Sequence, residues 1–112
     1  MIAELTEAAV TLGADAGVRA VVLASTGPSF CAGGDLEWMR EQQAADRAGK
    51  MAEAGRLSAM LSVLNALPKP LIARVQGIAT AAGCQMVAAC DLAVATSDAR
   101  FAVSGINVGL FC

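Results

Sequence analysis

The stretch Val18–Met39, VRAVVLASTGPSFCAGGDLEWM, decides the fold more than any other part of the sequence. It opens with Val18–Ala24, a short apolar run with β-branched residues, which is typical of a strand buried on both faces. A loop of small residues follows, and Asp35 is then placed to cap a helix that begins LEWMREQ. A strand that leads through a tight loop into a helix is the unit of α/β proteins, so we predict an α/β fold.

The remaining sequence repeats this order of strands and helices. Apolar residues at helical spacing predict one helix before Val18 and another over about Ala45–Leu67, which the prolines of LPKP end. The segments that follow are a strand (LIARV), a second loop of small residues (QGIATAAG), a short buried helix (CQMVAAC), a strand (DLAVAT) and a turn at Ser97 and Asp98. Strands that alternate with helices predict parallel pairing.

The composition is unusually apolar for a chain of 112 residues, which is at most one domain. Apolar residues make up 56% of it, against about 45–50% in typical domains. The longest apolar run, Gly77–Cys90, is interrupted by Gln85 and is shorter than the roughly 20 residues of a membrane helix. We therefore predict no membrane span and expect a fragment, truncated at both ends, of a larger protein that covers the apolar faces.

Charge and cysteine spacing exclude two further classes of function. The net charge is −2 without a basic cluster, so nucleic-acid binding has no electrostatic basis. The chain has no histidine, and its four cysteines never approach the spacing of a zinc site, so we predict no metal site. Free cysteines indicate a reducing compartment, the cytoplasm or, in a eukaryote, the mitochondrion.

Two loops of small residues each follow a strand and open a helix. The first reads CAGGD (Cys31–Asp35) and the second reads TAAGC (Thr80–Cys84). The first N–H groups of a helix have no partner within it, so two such ends that face each other place two donors on one oxygen. This arrangement is an oxyanion hole. The alternative is that both loops are ordinary tight turns.

Three motifs occur in an order that resembles the enoyl-CoA hydratase/isomerase (crotonase) superfamily from about Val18 onward: SFCAGGDL, KPLIARVQGIATAAGCQMVAACDLAVAT and FAVSGINVGL. The resemblance implies a crotonase-like core of repeated β-β-α turns in a superhelix. It implies a protein that binds acyl-CoA thioesters as substrate or ligand, with no other cofactor. Homotrimers, often paired into hexamers, are the implied assembly.

The resemblance also assigns roles to individual residues. It implies that the N–H groups of Gly34 and Ala82 are the two oxyanion donors, since Gly34 follows the AG pair of the first loop and Ala82 lies in the second loop. It further implies that the first loop lines the path of CoA, through Ala32, Gly33, Gly34 and Asp35.

The sequence departs from the family pattern at both acid/base positions. Gln85 and Gly105 stand where a hydratase of this family has its two glutamates. Each missing acid or base would cost a factor of about 10²–10⁴ in rate, so we do not expect ordinary hydration. Gln85 and Asn107 are candidate polar residues of the pocket; Asn107 either orients a water or carbonyl or is a turn residue.

Three functions are compatible with this pattern. The first is a thioester-polarising enzyme of lyase or isomerase type in fatty-acid or acyl-CoA metabolism. The second is a non-catalytic acyl-CoA-binding or regulatory protein, which the two departures favour. The third is a structural subunit in which both loops are plain turns.

Four other residues are predicted to have structural roles. Asp91 is interpreted as a turn or capping residue at the start of a strand. Cys84 lies beside the second loop but lacks a base that would activate a thiol. Trp38 and Met39 are expected to pack rather than to bind a ligand.

Overall fold

Strands and helices alternate along the chain, and the α/β prediction is confirmed. The computed structural model describes residues 1–103 and 105–108. The helices are α1 (Ile2–Ala14), α2 (Leu36–Ala44), α3 (Arg47–Asn65) and α4 (Ala82–Ala88), with a final 3₁₀ helix (Gly105–Val108). The strands are β1 (Val21–Ala24), β2 (Leu71–Val75), β3 (Ile78–Thr80), β4 (Leu92–Ala95) and β5 (Arg100–Ala102).

In the part of the chain that the structure describes, all strand pairs are parallel and fall into two sheets. The first sheet has the order β1-β2-β4, with Val21 opposite Leu71 and Ile72 opposite Leu92. The second sheet pairs β3 with β5, and a single parallel bridge from Cys31 to Ala79 extends it. From β2 onward, strands that are consecutive in the chain alternate between the two sheets.

This topology is a repeated β-β-α turn. One turn consists of β2, β3 and α4, and the next of β4, β5 and the 3₁₀ helix. The turn before them consists of β1, the bridge residue Cys31 and α2. When the turns stack, the first strands of successive turns form one sheet and the second strands form the other. This arrangement is the superhelical core that the resemblance implies.

The core is a cluster of buried apolar residues to which β2 contributes most. Leu71, Ala73 and Val75 alternate along β2 and are each no more than 1% exposed, as the period of a strand requires. Met60 and Leu64 of α3 belong to the same buried cluster, and α1 packs along α3. The other buried apolar residues are Ala9, Phe30, Ala79 and Met86. Within the described part of the chain, the helices are too short or too polar to cross a bilayer.

Three local predictions were wrong. The segment QGIATAAG is not all loop, because it contains β3, a strand whose partners are far away in sequence. The short helix begins at Ala82 rather than Cys84. The strand β1 is not buried on both faces, because its residues alternate between half-buried and exposed. Every residue of β4 is also exposed.

We expect the chain to self-associate through β4. Leu92 and Val94 are 61% and 63% exposed, and unpaired strand edges with apolar side chains promote association. Replacing both by lysine should weaken association about tenfold or more, since charge on an edge strand opposes pairing. Sedimentation velocity over a concentration series measures this.

A matched control adds the same charge elsewhere. Val10 and Met51 are similarly exposed, at 58% and 66%, but lie on α1 and α3. Lysines at these two positions should leave most of the association intact. Equal weakening by both pairs would attribute the effect to net charge and not to the strand edge.

Candidate functional site

The two loops of small residues lie side by side and are joined by backbone hydrogen bonds. The N–H of Cys31 donates to the carbonyl of Ile78 at 3.0 Å. The N–H of Thr80 donates to the carbonyl of Cys31 at 2.9 Å. Cys31 thus begins the first loop and is bonded at both its amide and its carbonyl to the strand that leads into the second loop.

The close approach of the loops requires small residues. A Cβ on Gly83 would lie 2.4 Å from the carbonyl oxygen of Cys31, a distance that real Cβ contacts do not reach. Gly33 has φ of +112°, and a Cβ there would lie 3.4 Å from the Cβ of Ala81. The residues that precede Gly34 and Ala82 are therefore in contact across the two loops.

Ala81 has a strained backbone. Its φ of 50° and ψ of −115° make it the single non-glycine residue with positive φ among residues 1–103 and 105–108. Such a conformation costs about 1–3 kcal/mol and persists where the surrounding structure imposes it. The N–H of Ala81 donates to the carbonyl of Ala102 at 3.0 Å, which ties the start of α4 to the end of β5.

A half-open cleft of about 710 Å³ runs along the first loop. Ala32, Gly33, Gly34 and Asp35 all line it. The rest of its wall is mainly apolar. It comes from α1 and the residue before it, from β1 and the segment that follows it, and from single residues of α2 and α4 (Met1, Leu5, Leu23, Ala24, Ser25, Phe30, Cys31, Leu36, Met86). Ala82 and Gln85 lie outside this lining.

Asp35 caps α2, as predicted. Its carboxylate accepts from the N–H groups of Glu37 at 2.8 Å and Trp38 at 3.0 Å. Trp38 and Met39 turn back over the first loop, where a Cβ on Gly34 would lie 3.6–3.7 Å from both side chains. The cap therefore orients the first turn of a helix that packs on Gly34.

Replacing Asp35 by alanine should lower the free energy of unfolding by about 1 kcal/mol, because two N–H groups of α2 lose their acceptor. Asparagine keeps a side-chain oxygen and should retain most of that stability. Urea denaturation followed by circular dichroism measures both variants. An alanine variant as stable as the wild type would contradict the capping role.

The candidate polar residues have different surroundings. Gln85 is half-buried on α4, and its N–H donates to the carbonyl of Ala81 at 3.2 Å, which begins the helix. Gly105 is buried and Asn107 is exposed, both in the 3₁₀ helix that follows β5. Ala102, three residues before Gly105, is bonded to the second loop, so the two acid/base positions belong to adjoining segments.

The thiols and Asp91 have structural partners. The sulfur of Cys84 lies 3.0 Å from the carbonyl oxygen of Ala79 and 3.4 Å from that of Ala102. Burial raises the pKa of the Cys90 thiol, and the negative charge of Asp91 raises it further. The carboxylate of Asp91 accepts from the N–H of Leu71 at 2.8 Å, which confirms its place at a strand start. The described residues hold no cluster of three or more metal-binding side chains.

The sequence analysis missed one residue whose side chain makes hydrogen bonds beside the first loop. Gln76 was the first residue of the predicted loop QGIATAAG, but its side chain reaches back to the segment after β1 and bonds to Ser25 and Gly27. A polar residue between two mainly apolar segments, LIARV and IAT, was the available signal.

Comparison with known proteins gives relatives along the whole chain. The family model described as Enoyl-CoA hydratase/isomerase matches residues 1–112. The chain is 38% identical over 112 residues to the zebrafish (Danio rerio) protein named "Enoyl-CoA hydratase domain-containing protein 3, mitochondrial", covering 100% of this chain and 38% of that protein. The human protein of the same name is 40% identical over 95 residues, covering 85% of this chain and 31% of the human chain.

A solved structure agrees with these relatives. A crystal structure of enoyl-CoA hydratase from Mycobacterium smegmatis matches with a TM-score of 0.93 and 59% identity, covering 100% of this chain and 43% of that chain. The chain thus spans less than half the length of each of these relatives. The family model, the sequence relatives and the shared fold agree, and the chain belongs to the enoyl-CoA hydratase/isomerase family.

Proposed function

We propose that this chain carries the thioester-binding part of a crotonase-type acyl-CoA protein. In it, the backbone N–H groups of Gly34 and Ala82 polarise the thioester carbonyl. The contact between Gly33 and Ala81, the residues directly before the two donors, is the observation that carries the proposal. Two hydrogen bonds between Cys31 and the β3 segment support it, because they hold the two loops in register.

The chemistry follows from the backbone donors. When a nucleophile adds to the carbonyl carbon of an acyl thioester, or a base takes a proton from its α-carbon, negative charge accumulates on the carbonyl oxygen. Two fixed N–H groups stabilise that charge, and one such donor contributes about 10²–10³-fold in rate. Small residues at the loops let the carbonyl approach the backbone, and a hydrogen-bonded frame keeps the donors in place.

The first loop is also the proposed path of CoA. Ala32, Gly33, Gly34 and Asp35 line the cleft of about 710 Å³, whose remaining wall is mainly apolar. A wall of this kind suits the uncharged pantetheine and acyl parts of the ligand, because burying apolar surface is favourable.

The reaction is not ordinary hydration in this proposal. Gln85 has a neutral amide that does not titrate near neutral pH, and Gly105 has no side chain. The first candidate function is therefore a thioester enzyme of another type, lyase or isomerase. The second is a non-catalytic acyl-CoA-binding or regulatory protein, which the same two residues favour.

Assembly and compartment complete the proposal. A homotrimer or hexamer is the assembly that the family resemblance supports. The names of the zebrafish and human relatives include the word mitochondrial, which supports that compartment in a eukaryotic source, with the cytoplasm as the counterpart in a bacterium.

Thermal-shift titration tests the proposal. Acyl-CoA that binds the folded chain should stabilise it by about 2.7 kcal/mol at 100 times the dissociation constant. An acyl chain without CoA serves as the control ligand and should give a smaller shift. No shift with any acyl-CoA would leave the structural-subunit function. A turnover screen against thioesters then separates an enzyme from a binding protein.

A further inference from the structure

The turn Ser25–Ser29 connects β1 to the first loop and depends on side chains for its shape. Among the described residues, no hydrogen bond between backbone groups has its donor or acceptor within this turn. Ser25 nevertheless lines the cleft, and the turn ends directly before Phe30, which is buried and lines it too. The position of the cleft wall therefore depends on the groups that hold the turn.

The side chain of Gln76 is the group that reaches the turn from β2. Its amide nitrogen lies 3.1 Å from the carbonyl oxygen of Ser25, 2.9 Å from the Ser25 hydroxyl and 2.9 Å from the carbonyl oxygen of Gly27. The Ser25 hydroxyl in turn donates to the carbonyl of Ser29 at 2.7 Å. One amide therefore links both ends of the turn, directly or through Ser25.

The backbone next to Gln76 receives the rest of the turn. Gly77 has φ of +60°, and a Cβ there would lie 2.1 Å from the carbonyl oxygen of Pro28. The turn thus packs directly against the backbone of Gly77, where no side chain fits. The N–H of Phe30 donates to the carbonyl of Gln76 at 2.9 Å. Beyond Phe30, the bonds of Cys31 to the β3 segment continue the same line of contacts toward Gly33 and Ala81.

We propose that Gln76 is a positioning residue for the thioester site. It fixes the turn Ser25–Ser29 and, through the line of contacts that ends at Gly33, it sets the Gly34 N–H relative to the Ala82 N–H. This inference rests on the proposed function and identifies what holds its first loop in place. Gln76 touches neither the ligand nor the reacting atoms.

The length of the glutamine side chain matters for this role. Asparagine has the same amide but is shorter by one methylene, about 1.5 Å. It cannot reach three acceptors that are already at hydrogen-bond distance from the longer side chain. Methionine has a similar length but no hydrogen-bond donor. The three acceptors of the turn therefore lose the donor that Gln76 provides.

The experiment compares Gln76→Met with Gln43→Met, a matched change at an exposed glutamine of α2. Two ligands are titrated into the 112-residue chain: an acyl-CoA with a ¹³C-labelled thioester carbonyl, and CoA without an acyl group. Gln76→Met should weaken acyl-CoA binding about tenfold, because several side-chain hydrogen bonds are lost, and CoA binding much less. The infrared band of the labelled carbonyl should move back toward its frequency in water, while Gln43→Met matches the wild type in both measurements.

The outcomes separate this proposal from the proposed function. If the substitution only lowers stability, it should weaken the binding of both ligands equally and leave the carbonyl band in place. This result would overturn the positioning role. If Gln76→Met does not fold, Gln76→Asn gives the same comparison with a smaller expected effect. A wild-type chain that binds no thioester overturns the proposed function and this proposal together. If the wild type and the Gln76 variants shift the carbonyl band equally, this proposal alone is overturned.

Discussion

Replacing Ala82 by proline should lower thioester turnover, or the affinity for an enolate analogue, by about 10²–10³-fold. Proline has no N–H, so the change deletes one of the two proposed donors. Ala82 is the first residue of α4, a position at which proline is well tolerated in helices. Steady-state kinetics, or isothermal titration with the analogue where no turnover is found, measures the effect.

Two controls separate the lost donor from a disturbed helix. Ala82→Gly keeps the N–H and should retain most of the activity or affinity. Proline also restricts the residue before it, and Ala81 is already strained at φ of 50°. Ala81→Gly relaxes that position and serves as the reference for the double variant Ala81→Gly/Ala82→Pro. The double variant should lose as much activity or affinity relative to Ala81→Gly as Ala82→Pro loses relative to the wild type. Equal loss in Ala82→Gly and Ala82→Pro would assign Ala82 a packing role.

Local features of the fold were predictable from the sequence. The cap at Asp35 depends on a side chain and the two N–H groups directly after it, so the sequence contains the whole interaction. The core strand β2 was likewise predictable, because LIARV is mostly apolar, follows Pro70 and is followed by Gln76 and Gly77. Both features need no knowledge of distant residues.

The strand β3 was not predictable in the same way. Its three residues, Ile78–Thr80, lie in a run of small residues without the alternation that indicates a strand. It forms because β5 pairs on one side and Cys31 bridges on the other, and both partners are far away in sequence. Pairing that depends on distant segments leaves little trace in a short window.

The prediction that β1 is buried on both faces was wrong for a related reason. An apolar strand such as β4 is suited to burial, but the sequence does not say which segment covers it. Among the described residues none does, and Leu92 and Val94 remain mostly exposed. The apolar composition therefore predicted that the strand is suited to burial, but not which segment would cover it.

The candidate site shows the same division. The small residues of both loops were recognisable, since close backbone approach requires them. The contact between Gly33 and Ala81 and the bonds of Gln76 join segments about 50 residues apart, with separations of 49 and 51 for the glutamine. The motifs located the two loops in the sequence, but the contacts between these distant segments could be identified only from the structure.

Restoring both carboxylates, with Gln85→Glu and Gly105→Glu, should create or raise hydratase activity by more than either change alone. One carboxylate acts as base toward a water and the other as acid toward the substrate, and each such group is worth about 10²–10⁴-fold. The wild type should bind enoyl-CoA and hydrate it very slowly. Loss of the enoyl-thioester absorbance, followed across pH, measures all four proteins.

The gain should be smaller than the full value of two groups because Gly105 is buried. A glutamate there needs space, and its charged form loses solvation. Two carboxylates in one pocket also repel, which raises the pKa of one of them and keeps it protonated near neutral pH. Activity of the double variant should therefore follow a bell-shaped dependence on pH, since one group must be charged and the other neutral.

Gly105→Ala measures the steric part of this cost, because it adds a side chain without a charge. If it abolishes acyl-CoA binding, the packing around residue 105 rather than the missing acid explains a weak double variant. If instead the wild type hydrates crotonyl-CoA at typical enzyme rates, about 1–10³ per second, the acid/base argument fails. A group other than the residues at 85 and 105 would then have to activate the water, and the search for it would turn to the other polar residues around the two loops.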